Sequence, residues 1–410
     1  MSNKYKKTLG ACCLGYVAQS IVVNLAPLFF VIFKKQYGFS YSFIATIVLV
    51  TFVIQIAVDA ASVKFMGALG YRRCAVLSQA VSGVGILLLG VLPAVMTNNH
   101  AAVIIAVCVY SIGGALTEVV ISPITDSLPS KSSEASMSFL HSFYSWGQVF
   151  VILVTTLLLL LTGDSLWYLI PVVWVSVPLA SMIMFTRVPI IEPEPQNAVK
   201  ATGRLFGRKI FILTMFLMIC AGAAEQIMAQ WASLFCERGL GVTKVVGDLL
   251  GPCLFAAFMG IGRTYYGAKG YKIDLRRALA VCSSLAVVCY IVTVFSGSPV
   301  LSLAGCALCG LGVSLLWPGM LSMSSKTFPD GGPAMFAYLA LGGDLGCALG
   351  PYLTGIVSDR VSASAAGADL ASRLGTGIGE VSLKAGILAG IVFPLAMLIG
   401  TLALGKKKKT

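Results

Sequence analysis

Long stretches without charge alternate with short polar stretches along the whole chain, and that alternation sets the predicted elements. Twelve apolar runs fall near residues 9–33, 41–63, 74–96, 101–125, 139–162, 165–186, 210–236, 245–266, 276–296, 299–325, 334–358 and 384–405. Each is about 20 residues or longer, enough for an α-helix to cross a hydrocarbon core of roughly 30 Å. A barrel strand would show strict apolar–polar alternation instead, so the predicted spanning element is the helix. The first run is too long for a signal-peptide core and reads as a first span.

Composition agrees with this pattern. The 410 residues are 58% hydrophobic and 11% charged, with mean hydropathy +0.91, whereas soluble domains carry about 25% charged residues. The chain is expected to be an all-α, multi-pass membrane protein. Its net charge of +13 raises nucleic acid as a partner, but the placement of the bases excludes it. With the N-terminus in the cytoplasm, 22 of the 29 Lys and Arg residues fall on the cytoplasmic side. That bias fixes both termini inside, and the "KKKK" tail at Lys406–Lys409 suits anionic lipid.

The chemistry of soluble enzymes finds little support. Most of the twelve cysteines lie in apolar runs; Cys306 and Cys309 have CxxC spacing but sit in "LAGCALCGLG", a small-residue membrane helix. There is no second pair, and the chain's two histidines are His100 and His141, so no metal or cofactor site is expected. No nucleophile–base pair or phosphate loop stands in a plausible context, and an enzyme is not expected.

The twelve spans divide into two sets of six. The connection "RVPIIEPEPQNAVKATGRLFGRK", Arg187–Lys209, mixes prolines, acids and bases as an exposed linker does. The expected organisation is an N-terminal bundle over 1–186, a cytoplasmic linker over 187–209 and a C-terminal bundle over 210–410. An internal repeat supports it. "GALGYRR" (Gly67–Arg73) matches "GAKGYKI" (Gly267–Ile273), and "SLPS" (Ser127–Ser130) stands opposite "TFPD" (Thr327–Asp330), at equivalent points of the two halves. Parallel repeats of this kind suit a two-bundle transporter.

Acidic residues inside or at the edge of spans mark the candidate site. They include Asp59 in span 2, Glu118 and Asp126 in span 4, Glu225 in span 7 and Asp344 in span 11, while spans 3, 6, 9 and 12 hold none. A carboxylate well inside a span costs on the order of 2.5–3.5 kcal/mol or more if ionised, so these groups are expected to face a wet interior. The amides agree: Gln19 and Asn24 lie on span 1, and Gln226 and Gln230 share one face of span 7 beside Trp231. Spans 1, 4, 7 and 11 are therefore expected to line one polar cavity, with no Lys or Arg at its depth. Such acids can exchange a proton as water reaches them from either side. Without a fixed cation, neutral polyols or sugars, or weak cations, fit better than anions.

These features resemble the major facilitator superfamily over essentially the whole chain. The 2–3 loop "DAASVKFMGALGYRR" is similar to that family's loop signature, keeping Asp59, Gly70, Arg72 and Arg73 without its Asp-Arg pair; "GIGRTYYGAKGYK" supplies Gly262 and Arg263 in the second half. The resemblance implies that these six residues act at a cytoplasmic gate. A narrower likeness is to the fucose permease type of sugar–proton symporter, carried by "GALTEVVISPITD", "FLHSFYSWG" and "LLWPGMLSMS". It implies that Glu118 contacts substrate and couples protons, that His141, Tyr144 and Trp146 line the same pathway, and that Trp317 is a platform for sugar. The acid of that group's span 1 has no counterpart here, where Gln19 and Asn24 stand.

The expected function is secondary transport by alternating access, as proton-coupled uptake of a small neutral solute such as a sugar. Glu118 and Glu225 are expected to carry the coupling. Gln19, Asn24, Glu118, His141, Tyr144, Gln226, Gln230, Trp231, Trp317 and Asp344 are expected to contact substrate. The alternatives are efflux of drugs or metabolites and, in another class, a non-transporting sensor, which would need an appended soluble domain or long tail. A monomer in a bacterial inner membrane is the expected setting.

Overall fold

A computed structural model describes residues 3–39, 41–192, 198–240 and 249–405. Among these residues, eleven helices are long and apolar enough to cross a membrane. The expected span at 245–266 begins outside the described residues, and its described part is helical from Leu249 to Lys269. The "KKKK" tail also lies outside them.

The chain forms two compact units that divide at Arg208 and Lys209, the first also including Ser324–Leu341. The first unit holds α1 (Asn3–Leu28), α2 (Phe30–Tyr37), α3 (Tyr41–Leu69), α4 (Tyr71–Val95), α5 (Asn99–Asp126), α6 (Ser133–Thr162), α7 (Leu169–Trp174), α8 (Ser176–Arg187) and the linker helix α9 (Ala198–Phe206). The second is built from α10 (Lys209–Leu240), α11 (Leu254–Lys269), α12 (Leu275–Phe295), α13 (Pro299–Val313), α14 (Leu316–Thr327) and α15 (Gly332–Ser362), then α16 (Ala365–Leu374), α17 (Ile378–Ala389) and α18 (Val392–Gly405). Ser324–Leu341, the end of α14 and the start of α15, packs with the first unit. Sequence alone assigned it to the second.

Local chemistry explains where helices start and break. The side chains of Asn98, Ser132 and Asp274 each accept a backbone N–H in the first turn of α5, α6 and α12, satisfying donors that have no partner within the helix. Among the broken spans, three have a break that lies four residues before a proline. Trp174 precedes Pro178, Ser314 precedes Pro318, and Gly390 precedes Pro394. Proline has no N–H to offer the carbonyl four residues back, and its ring crowds that carbonyl. The break in α13–α14 matters for the site.

Each unit has its own apolar core. In the first, Ile21, Leu25, Phe29, Phe33, Trp167 and Trp174 are buried together. The Trp167 indole N–H donates to Gln36 Oε1 at 3.0 Å, so its polar edge is satisfied while its rings pack. In the second, α10 and α15 touch through small residues. A Cβ at Gly346 would lie 2.0 Å from the Ile219 carbonyl oxygen, so only glycine permits that approach.

Candidate functional site

In the first unit the polar side chains of α1, α5 and α6 converge. The Tyr16 hydroxyl is hydrogen-bonded to Ser122 Oγ at 3.0 Å and lies 3.3 Å from His141 Nε2, with the two rings edge to face at 4.7 Å. All three residues are buried. One helical turn up, Gln19 of α1 meets α5 where a Cβ at Gly114 would be 2.7 Å from Gln19 Oε1. That oxygen is buried and has no hydrogen-bond partner among the described residues.

These two contacts locate Glu118. Gly114, Glu118 and Ser122 are four apart on α5 and share one face. The half-buried Glu118 therefore stands on α5 between the level of Gln19 and the level of Tyr16. Tyr16 and Gln19 are three apart on α1, so the same faces of both helices are engaged. Sequence reasoning named Glu118, Gln19 and His141 but missed Tyr16 and Ser122. The signal available was spacing, since each is one turn from a residue that was named.

Other expected residues of this unit are placed differently. The Asn24 amide donates to the Ser20 carbonyl of its own helix at 2.9 Å. Tyr144 is half-buried, and Trp146, expected on the pathway, is 40% exposed.

In the second unit, Glu225 is not without a cation. The Arg263 guanidinium donates from Nη2 to Glu225 Oε2 at 3.0 Å and from Nε to the Ser314 carbonyl at 2.9 Å, all in the buried interior. This corrects the expectation that no base reaches the depth of the acids, and it gives Arg263, expected at the cytoplasmic gate, a buried carboxylate partner. The physical reason is side-chain direction. Cβ bonds tilt toward a helix N-terminus, so on adjacent spans of opposite direction an arginine near the end of one and an acid in the middle of the other lean toward each other. Pro318 completes the arrangement: it offers no N–H to Ser314, whose carbonyl is left to accept from Arg263. Gly262 lets the helices close in, because a Cβ there would be 2.4 Å from Ser314 Oγ.

The remaining second-unit residues fall into two groups. Gln230 donates to Gln226 Oε1 at 3.4 Å along their shared face, and Trp231 is half-buried. Trp317 is buried with its ring edge against Gly343, the neighbour of buried Asp344.

The expected gate residues of the first unit have a defined setting. Asp59 is buried on α3 and Arg73 is exposed. Gly70 has φ +78°, the left-handed region that favours glycine, and it starts α4. There the Glu192 carboxylate accepts the N–H groups of Tyr71 at 2.5 Å and Arg72 at 3.1 Å. Arg72 in turn donates to the carbonyls of Phe185 at 2.8 Å and Val188 at 2.9 Å, the last turn of α8. At the other end of α5, Asp126 accepts from Ser133 and, at 2.5 Å, from Ser325, and Lys326 pairs with Glu134. Glu192, Glu134, Ser325 and Lys326 were not expected; they lie in loops and helix ends where no periodicity singles them out.

Comparison with known proteins agrees with this architecture. The family model described as Major Facilitator Superfamily matches residues 11–351. The chain is 29% identical over 164 residues to the membrane protein MosC of Rhizobium meliloti, a match covering 39% of each, so it spans well under half the length of that curated relative. The crystal structure of the E. coli fucose:proton symporter FucP has a TM-score of 0.76 at 13% identity, covering 98% of this chain and 99% of that one. The proton:xylose symporter XylE has a TM-score of 0.77 at 13% identity, covering 99% and 96%. Likeness at such low identity is likeness of fold, and it extends over nearly all of both chains. With the family match along most of its length, the chain belongs to the Major Facilitator Superfamily and is a multi-pass membrane protein.

Proposed function

We propose that the protein takes up a small neutral solute, a sugar or related polyol, across a bacterial inner membrane by proton-coupled alternating access. The observation that carries this reading is the position of Glu118, between Gln19 on one side and the Tyr16–Ser122–His141 cluster on the other. A protonatable carboxyl is thereby flanked by uncharged donors and acceptors, the set that pairs with hydroxyl groups. Gln19 Oε1, buried without a hydrogen-bond partner among the described residues, supplies an acceptor for a solute hydroxyl. A buried acceptor left unmade costs about 1–3 kcal/mol, which a bound hydroxyl recovers.

The charge of the second unit points the same way. Arg263 and Glu225 neutralise one another, so they offer no net charge to an ionic solute. The coupling proton is accordingly assigned to Glu118, and Glu225 is taken as the partner that holds Arg263. The fold's likeness to the fucose and xylose symporters supports the solute class. One charge moved across about 100 mV is worth roughly 2.3 kcal/mol, nearly fiftyfold in accumulation. Asp59, Arg73 and the Asp126–Ser325 and Glu134–Lys326 contacts are assigned to the cytoplasmic gate.

The test is transport by proteoliposomes carrying Glu118→Gln, with labelled sugars as solutes. Accumulation driven by a pH gradient is abolished while counterflow of preloaded solute persists. Accumulation equal to wild type removes Glu118 from coupling, and loss of both activities makes it a solute ligand alone.

A further inference from the structure

We propose that the first unit binds one phospholipid of the cytoplasmic leaflet, with an anionic headgroup, in a groove between α1, α6 and α8. The groove has a volume of about 410 Å³ and is lined by apolar side chains apart from Lys6 at its mouth. Its floor runs along α1 from Lys6 through Gly10 to Val17, Phe139 and Phe143 form one wall, and Met184 closes the other. Those two phenyl rings stand edge to face at 5.3 Å.

Three dimensions favour a lipid in this position. Lys6 to Val17 is eleven residues of helix, about 16 Å, roughly half of a ~30 Å hydrocarbon core and so the depth of one leaflet. The lining residues of all three helices lie at the same end of the unit: Lys6 near the start of α1, Phe139 near the start of α6 and Met184 one turn from the end of α8. The bases Lys6, Lys7 and Arg187 mark that end as cytoplasmic. An apolar trough as deep as a leaflet, ending on an exposed ammonium at the headgroup level, matches one acyl chain below an anionic phosphate.

Gly10 keeps the trough open. The heavy atom nearest to a Cβ at that position is Met184 Cε at 3.8 Å, ordinary contact distance. Alanine is therefore accommodated there without a clash, while leucine projects into the space that the acyl chain would fill.

The full chain, delipidated in detergent, is titrated with phosphatidylglycerol or phosphatidylcholine of identical acyl chains and read by native mass spectrometry. The wild type retains one phosphatidylglycerol in preference to phosphatidylcholine. Lys6→Gln lowers that preference about fivefold, the factor that ~1 kcal/mol for one lysine at an anionic surface represents. Gly10→Leu lowers retention of both lipids, and Gly10→Ala behaves as wild type. Equal retention of the two lipids by the wild type, or unchanged retention by Gly10→Leu, overturns the proposal. Displacement of phosphatidylglycerol by equimolar oleate assigns the groove to a fatty acid and also overturns it. A second readout does not depend on Gly10→Leu folding: a Phe143→Trp probe is quenched more by brominated phosphatidylglycerol than by brominated phosphatidylcholine, and this difference disappears with Lys6→Gln. No difference in the probe with Lys6 intact sinks the headgroup assignment.

Discussion

The Arg263 guanidinium lies 3.0 Å from the Glu225 carboxylate in the buried interior of the second unit, and its Nε holds the Ser314 carbonyl at 2.9 Å. One side chain thus ties α10, α11 and the break between α13 and α14. Breaking a buried pair by removing one partner costs about 3–5 kcal/mol, because the other charge stays buried alone, whereas replacing both is often close to neutral.

Glu225→Gln and Arg263→Gln are each expected to destabilise the protein by about that amount, and Glu225→Met with Arg263→Met to recover most of the loss. Thermal unfolding in detergent measures the cycle. Proton-driven uptake should also survive in the double variant, since coupling is assigned elsewhere. A double variant no more stable than the worse single one, or one without coupling, returns Glu225 to the proton pathway.

The case of Arg263 shows what the sequence could and could not reveal. Spans and the superfamily were legible because each depends on a property summed over 20 residues or more, and single errors average out. Glu118 stood out in the sequence because a carboxyl in an apolar run is rare and costly. Counting residues from span ends set Arg263 apart from Glu225, because the count ignores where a long side chain reaches. Tyr16 and Ser122 were missed for another reason: both residue types are unremarkable in membrane helices, and their one-turn spacing from Gln19 and Glu118 gains meaning only once the register of α1 against α5 brings them together. Ser324–Leu341 joined the first unit through side-chain contacts that no local pattern encodes.

Tyr16→Phe tests that register. It keeps the edge-to-face ring contact with His141 and removes only the hydroxyl shared with Ser122 and His141. The partners left behind are buried, so a cost of about 1–3 kcal/mol follows. Uptake is expected to fall with expression unchanged, and Tyr16→Phe with Ser122→Ala to recover stability, since both ends of one bond are then gone. Full uptake by Tyr16→Phe would show the cluster to be packing alone.

Glu192 and Arg72 make a structural prediction where α4 begins and α8 ends. Glu192 accepts the first N–H groups of α4, and Arg72 satisfies the last carbonyls of α8, so both offset helix-end groups with no partner of their own. Glu192→Ala is expected to cost about 1 kcal/mol, and Glu192→Gln less, because the amide oxygen still accepts one N–H. Proteolysis at the linker, faster in the alanine variant, provides the check. Equal rates for the two variants would mean that charge near the helix N-terminus outweighs the hydrogen bonds.

Trp317 was expected as a platform for sugar, and its position against Gly343 allows packing and recognition to be separated. A Cβ at Gly343 would lie 2.1 Å from Trp317 Cη2, so alanine there must displace the indole. Overpacking of this kind costs about 1–3 kcal/mol. Phenylalanine at 317 is shorter at the atom that collides, so Gly343→Ala with Trp317→Phe should regain the lost stability. The two roles then differ in transport. If the ring only packs, the double variant regains the wild-type KM together with its Tm. If the indole face holds the solute, Tm returns while KM stays raised, because phenyl offers a smaller surface to a sugar ring. Measuring both quantities on the same three proteins decides it, and a Gly343→Ala variant with unchanged Tm would show that the two helices simply part to admit the methyl group.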